Sequence, residues 1–196
     1  MPYLQSVIPP NRLDYLVEIC RAALRRCPGH VVEIGVYRGG SLSRLAEVVA
    51  EVCPAYRAIG IDTFAGHPYS DGHSVHPQGK YADVDMRQLA GRLAGQPQGR
   101  LIELHAGLVE TLLPDLALKD VAFAHVDCDL YLPVRFCAQH LPAVMKAGGT
   151  IFFDDYGHEH CPGATRAVSE VFAENRLHQV SMPDDGTCWS CYLRLD

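Results

Sequence analysis

The chain has 196 residues, 48% of them apolar and 20% charged, enough for one domain with a substantial buried core. Its 17 basic and 23 acidic residues leave a net charge of −6, which argues against a nucleic-acid binder that needs a basic face. No apolar run nears the roughly 18 residues of a membrane span, and the N-terminus lacks a signal layout. The expectation is a soluble, cytoplasmic protein with no membrane partner.

Pro9-Pro10-Asn11 opens an amphipathic helix that carries Leu13, Leu16, Val17, Cys20, Ala23 and Leu24 on one face. Cys27-Pro28-Gly29 should stop it, because proline cannot continue a helix and glycine turns the chain. A strand over 30–34, a glycine-rich turn and a helix over 41–53 follow. Next come a strand over 56–62, a long loop and a helix over 84–93. A third strand (101–105) precedes a weak helix (108–113), and a fourth, almost wholly apolar strand (121–127) precedes a helix over 132–146. A fifth strand (150–154) and a helix over 163–175 lead to a hairpin of 179–182 and 188–195 around Asp184-Asp185-Gly186.

Apolar strands alternating with helices imply a parallel sheet covered on both faces, and the hairpin adds an antiparallel strand. The fold expected is α/β and Rossmann-like, with a seven-stranded, mostly parallel sheet and a C-terminal β-hairpin. Ligands of such sheets bind beyond the carboxyl ends of the strands, so chemistry is sought there.

Behind the first strand stands Glu33-Ile34-Gly35-Val36-Tyr37-Arg38-Gly39-Gly40-Ser41. Gly35 and Gly39 permit a tight turn, and the following helix N-terminus favours an anion. Asp62 ends the second strand, with Thr63 beside it, where a carboxylate grips a ribose diol. Together the two features point to an adenosine-containing cofactor. Asp127 and Asp129 follow the fourth strand, and Asp154 and Asp155 follow the fifth. Four like charges in one cleft repel, and a divalent cation would resolve the repulsion. All-oxygen donors favour magnesium, manganese or calcium.

The eight cysteines have other readings. Cys20, Cys27, Cys53 and Cys137 sit among apolar residues as small buried hydrophobes. Cys188-Trp189-Ser190-Cys191 is formally a CxxC, and His158, His160 and Cys161 would have to supply the rest of a zinc site. His125 reads as a core histidine with a satisfied hydrogen bond, and Trp189 and Tyr192 as packing for the hairpin. His158 and His160 stay open between solvated loop residues and a second base or ligand.

In sequence order the chain presents Glu33-x-Gly35-x-x-x-Gly39-Gly40-Ser41, Asp62-Thr63-Phe64-x-Gly66 and Gly107-Leu108-Val109-Glu110-Thr111-Leu112. Val126-Asp127-Cys128-Asp129-Leu130-Tyr131 and Asp154-Asp155-Tyr156 complete the set. This set resembles class I S-adenosylmethionine-dependent methyltransferases of the macrocin O-methyltransferase type. The motifs keep the family's order over about residues 31 to 175. The resemblance implies S-adenosylmethionine and magnesium (or manganese) as cofactors and methyl transfer to a sugar hydroxyl of a small natural product. It implies Asp127, Asp154 and Asp155 as metal ligands and Asp129 as general base, with Asp127 also at the reacting centre. It places Glu33, Tyr37 and Ser41 at the methionine end of the cofactor, Asp62 at its ribose, and Gly107 and Leu108 near adenine.

On this reading residues 1–29 are a helical cap on a methyltransferase domain of 30–196, and the 65–82 loop, with His67, His73 and His76, is a substrate lid. A homo-oligomer is left open. The rivals are a catechol-type O-methyltransferase, a non-catalytic adenosine-ligand domain, and a zinc protein built on the late His and Cys residues.

Overall fold

The computed structural model describes residues 4–181 and 186–196. Its elements in chain order are α1 (Pro10–Arg26), β1 (His30–Ile34), α2 (Gly40–Val52), β2 (Ala58–Asp62) and α3 (Met86–Ala94). They continue through β3 (Ile102–Ala106), α4 (Val109–Asp115), β4 (Val121–Val126), α5 (Tyr131–His140) and β5 (Met145–Asp154). The chain closes with α6 (Pro162–Val171), β6 (His178–Ser181) and β7 (Cys188–Arg194). The expected alternation is present, and the fold is α/β and Rossmann-like.

The seven strands run in the order β3-β2-β1-β4-β5-β7-β6. β1 to β5 are parallel, and β7 joins β5 antiparallel before pairing with β6. Asp184 and Asp185, expected at the hairpin turn, lie outside the described residues, as does Met182.

The apolar spacing read in the sequence explains the layers. One core holds Leu16, Cys20 and Leu24 of α1, Leu42 and Leu45 of α2, and Leu89 and Leu93 of α3 against one face of the sheet. The other holds Val109 and Leu113 of α4, Val134 and Cys137 of α5, and Ala164 and Val168 of α6. β4 lies between them with all six residues buried, which is why it reads as an uninterrupted apolar run.

Three boundaries differ from expectation by more than two residues: two helix ends and the start of β5, which comes at Met145 instead of residue 150. The helix expected over 132–146 ends at His140, and Leu141–Ala143 form a 3-10 turn. Pro142 has no N–H for the next helical bond, and Met145 already pairs with Val121 as the start of β5. The helix expected to reach residue 175 ends at Val171. Phe172 is extended, and its ring packs 6.1 Å from that of Phe153 in the core.

Strand order reverses between β1 and β4, and there the ends of the two strands open a crevice. Gly35 lies at its apex with φ +90°, and a Cβ there would fall 1.7 Å from the Asp127 carbonyl oxygen. Only glycine lets the two strand ends approach so closely.

Candidate functional site

A cavity of about 360 Å³ occupies this crevice. Such a volume suits a small molecule held largely inside the protein. One end is the turn from β1 into α2, where Gly35, Tyr37 and Ser41 line the cavity beside Asp62 and Thr63 from β2 and Gly107 and Leu108 from β3. Asp62 holds the turn in shape. Its Oδ2 accepts from the N–H groups of Val36 and Tyr37 at 2.7 and 2.8 Å, and its Oδ1 from Phe64 N–H at 2.7 Å. Thr63 Oγ1 also lies 3.5 Å from Oδ1, but its one proton goes to the Gly66 carbonyl at 2.8 Å, so of about four acceptor sites one is left for a further donor.

The other end collects acids. Asp127, Asp129, Asp154 and Asp155 all line the cavity, from the ends of the neighbouring strands β4 and β5. Asp129 and Asp155 each sit at φ +59°. So do Tyr37 (φ +47°) and Phe64 (φ +50°), so the left-handed backbone recurs just beyond four strand ends. Burial and the facing carboxylates push Asp127 and Asp155 well above the usual carboxylate range. Burial also opposes the charge on Asp129, but the hydrogen bond from His67 and the charges of His67 and His76 bring it below its usual value.

Arg12 of α1 is the cation that meets this cluster. Its Nη2 donates to Asp154 Oδ1, which also accepts from Ser190 Oγ at 2.6 Å. The guanidinium lies 4.9 Å from the centre of the Trp189 ring. Four carboxyl groups facing one guanidinium supply oxygen donors of the kind a hard divalent ion takes. The ligand atoms of Asp127 and Asp154 converge within 4.8 Å together with His125, whereas Asp155 converges with His158 and Cys161.

The 65–82 segment, without regular secondary structure, packs over the acid end. His67 Nε2 lies 3.1 Å from Asp129 Oδ2, and His76 Nε2 lies 3.4 Å from Asp129 Oδ1. The Tyr81 ring packs 4.9 Å from Tyr37 and 5.4 Å from His67. Backbone bonds from Val75 N–H to His160 O (3.0 Å) and from Gly163 N–H to His73 O (2.9 Å) tie the segment to the β5–α6 loop. Asp71 Oδ2 accepts from Tyr131 N–H at 2.7 Å.

The profile of the macrocin-O-methyltransferase (TylF) family matches residues 2–190. The chain belongs to that family. A curated relative from Streptomyces olivaceus, named 8-demethyl-8-(2,3-dimethoxy-alpha-L-rhamnosyl)-tetracenomycin-C 4'-O-methyltransferase, is 27% identical over 166 residues. That match covers 79% of this chain but only 62% of the relative's length. Among solved structures, the calicheamicin methyltransferase CalS11 superposes with a TM-score of 0.76 at 22% identity, covering 95% of this chain and 80% of that one. The O-methyltransferase NovP gives 0.75 at 20% identity, covering 97% and 81%.

Within this family member, two residues expected at the cofactor do not line the cavity. Glu33 is fully buried beneath it, with Oε1 2.9 Å from Nδ1 of the equally buried His125. It sits on β1 with its side chain in the protein interior, opposite His125 of β4. Gly39 caps α2 in the left-handed conformation and packs against Leu89 and Leu93. Trp189, expected only to pack the hairpin, lines the cavity, with the His158 ring edge-on at 4.2 Å. Tyr192 does pack there, stacked on His178. The CxxC does not converge, because Cys191 is buried in the core while Cys188 is half-buried beside Tyr156. Arg12 and the Gln5–Ile8 stretch of the cavity wall carry no local signature; packing of α1 on α2, β4 and β5, and of Gln5 and Ser6 against Gly40, brings them in.

The raised acids set a stability prediction. A carboxyl whose folded-state pKa lies above its unfolded value favours folding at low pH, and that contribution is lost as pH rises from about 4 through the folded pKa. Asp127→Asn is therefore expected to raise the neutral-pH stability of the metal-free protein by about 1–2 kcal/mol, or a few degrees in Tm, with the gain vanishing near pH 4. Thermal unfolding across that pH range checks it, and an Asn variant less stable at neutral pH contradicts it.

Proposed function

We propose that the chain transfers the methyl group of S-adenosylmethionine to a hydroxyl of a small molecule, a sugar or sugar-like part of a natural product. The observation that carries this is one cavity lined together by a glycine turn, a ribose-type carboxylate and Asp129. The family, and the rhamnosyl acceptor in the name of the Streptomyces olivaceus relative, support the sugar.

In this reading Tyr37 and Ser41 meet the methionine end of the cofactor. Asp62 accepts from one ribose hydroxyl, and Gly107 and Leu108 flank the adenine. The 65–82 segment is the lid, and its docking excludes water from the acceptor. His67 and His76 hold Asp129 ionised and aimed into the cavity. Asp129 takes the proton of the acceptor hydroxyl. The oxygen then attacks the methyl carbon from the side opposite sulfur. As the new C–O bond forms, the C–S bond breaks and its electron pair stays on sulfur, leaving neutral S-adenosylhomocysteine. Asp127, Asp154 and Asp155 would hold magnesium or manganese, which would acidify and orient the acceptor hydroxyl.

The test is methyl transfer from isotopically labelled S-adenosylmethionine to a panel of glycosides and nucleotide sugars, with magnesium and with EDTA. The expected result is a single O-methyl product on a sugar and loss of turnover in EDTA. Label transferred only to nitrogen or carbon acceptors, or turnover indifferent to EDTA in metal-free protein, contradicts the reading.

A further inference from the structure

Cys161 is placed where neither cofactor binding nor proton transfer uses it. It is 1% exposed, caps α6, and directs Sγ to Asp129 Oδ1 at 3.5 Å. His76 Nε2, from the 65–82 segment, approaches the same oxygen at 3.4 Å. The ligand atoms of His76, Asp129 and Cys161 all lie within 4.8 Å of one another. Bonds of about 2.0–2.1 Å to nitrogen or oxygen and about 2.3 Å to sulfur, at tetrahedral angles, put donors roughly 3.3–3.6 Å apart. Two of the three separations already have those values.

We propose that His76, Asp129 and Cys161 form a second cation site, for a borderline transition ion of the zinc class, that latches the 65–82 segment to the cavity. The donor chemistry sets it apart from the carboxylate set. One imidazole nitrogen, one thiolate and one carboxylate oxygen select zinc or cobalt over magnesium. The three donors come from three separate segments, so an ion here cross-links the 65–82 segment, the β4–α5 turn and the start of α6. Asp155 and His158 also have ligand atoms within 4.8 Å of Cys161 Sγ, which offers a fourth donor. The backbone bonds from Val75 to His160 and from Gly163 to His73 already hold the two sides at this separation. Binding exchanges the Cys161 thiol proton for the ion, and that proton leaves to solvent. Asp129 then no longer accepts the acceptor's proton, so a zinc-class ion inhibits turnover. This last consequence rests on Asp129 acting as the base.

Cobalt(II) titration of the purified, metal-stripped full chain reads the site directly, because thiolate ligation gives a sulfur-to-cobalt charge-transfer band. The expected result is one equivalent of cobalt with that band, undisturbed by excess magnesium. C161S abolishes the band, and H76A weakens cobalt binding by about tenfold or more. No band in the wild type, a band that survives C161S, unchanged affinity in H76A, or displacement by magnesium each overturns the proposal. S-adenosylhomocysteine binding, measured on the same three proteins, reports that they are folded. It also separates the two readings, since cofactor binding without a cobalt band defeats the latch alone. Zinc that binds at this stoichiometry without slowing turnover refutes the link to Asp129.

Discussion

Asp129→Ala is expected to lower the rate of methyl transfer by about a thousandfold while changing the affinity for S-adenosylhomocysteine by less than about threefold. The Asp129 side chain is partnered by His67, His76 and Cys161 and by nothing in the glycine turn, so its loss removes the proposed proton acceptor and leaves the contacts assigned to Asp62 and Gly107 in place. A positioned general base contributes about 10²–10⁴-fold, which sets the size of the effect. His67 and His76 lose a shared partner in this variant, so some loosening of the 65–82 segment accompanies it. Steady-state release of S-adenosylhomocysteine at saturating substrates measures the rate, and calorimetry measures the affinity. Turnover within tenfold of the wild type would show that another group takes the proton.

Gly35→Ala should destabilise the fold by about 4 kcal/mol or more, the range of the most damaging single substitutions. The added Cβ would meet the Asp127 carbonyl oxygen at 1.7 Å, and φ +90° strains any side chain. Relief requires parting β1 from β4, where Asp127 N–H donates to the Ile34 carbonyl at 2.8 Å. For a chain of this length the midpoint falls by about 10 °C or more. Gly72→Ala is the control: it has φ +67° and no atom within 4 Å of an added Cβ, so only conformational strain of about 1 kcal/mol remains. Equal midpoints for the two variants would contradict the close approach of the strand ends.

Most of the fold was legible because strand and helix periodicity are local properties. The run from His30 to Ile34 and the wholly buried β4 were readable from apolar residues alone. The start of β5 was not, because Met145 and Lys146 continue a helical pattern until Val121 pairs with Met145. Asp62, Ser41 and the four aspartates line the cavity because each lies at the carboxyl end of a strand or in the turn or helix start that follows it, a place that element order identifies. Glu33 shows the limit of motif matching. Its spacing before Gly35 is that of a cofactor contact, yet its side chain points inward to His125, and only strand pairing reveals that partner. Arg12, which reaches Asp154, and Trp189, which lies under its guanidinium, come from opposite ends of the chain, a juxtaposition made by packing. The loop histidines were noticed, but a segment without periodicity carries no instruction that aims His67 and His76 at Asp129.

The measurement that bears most directly on the account is calorimetric titration of S-adenosylhomocysteine into the wild-type protein, once with magnesium and once with EDTA. The account predicts one site of micromolar affinity in both conditions, because the glycine turn, Asp62 and Gly107 bind the cofactor without the acid end. Absence of binding in both conditions would contradict it, leaving the cavity between β1 and β4 without its assigned cofactor.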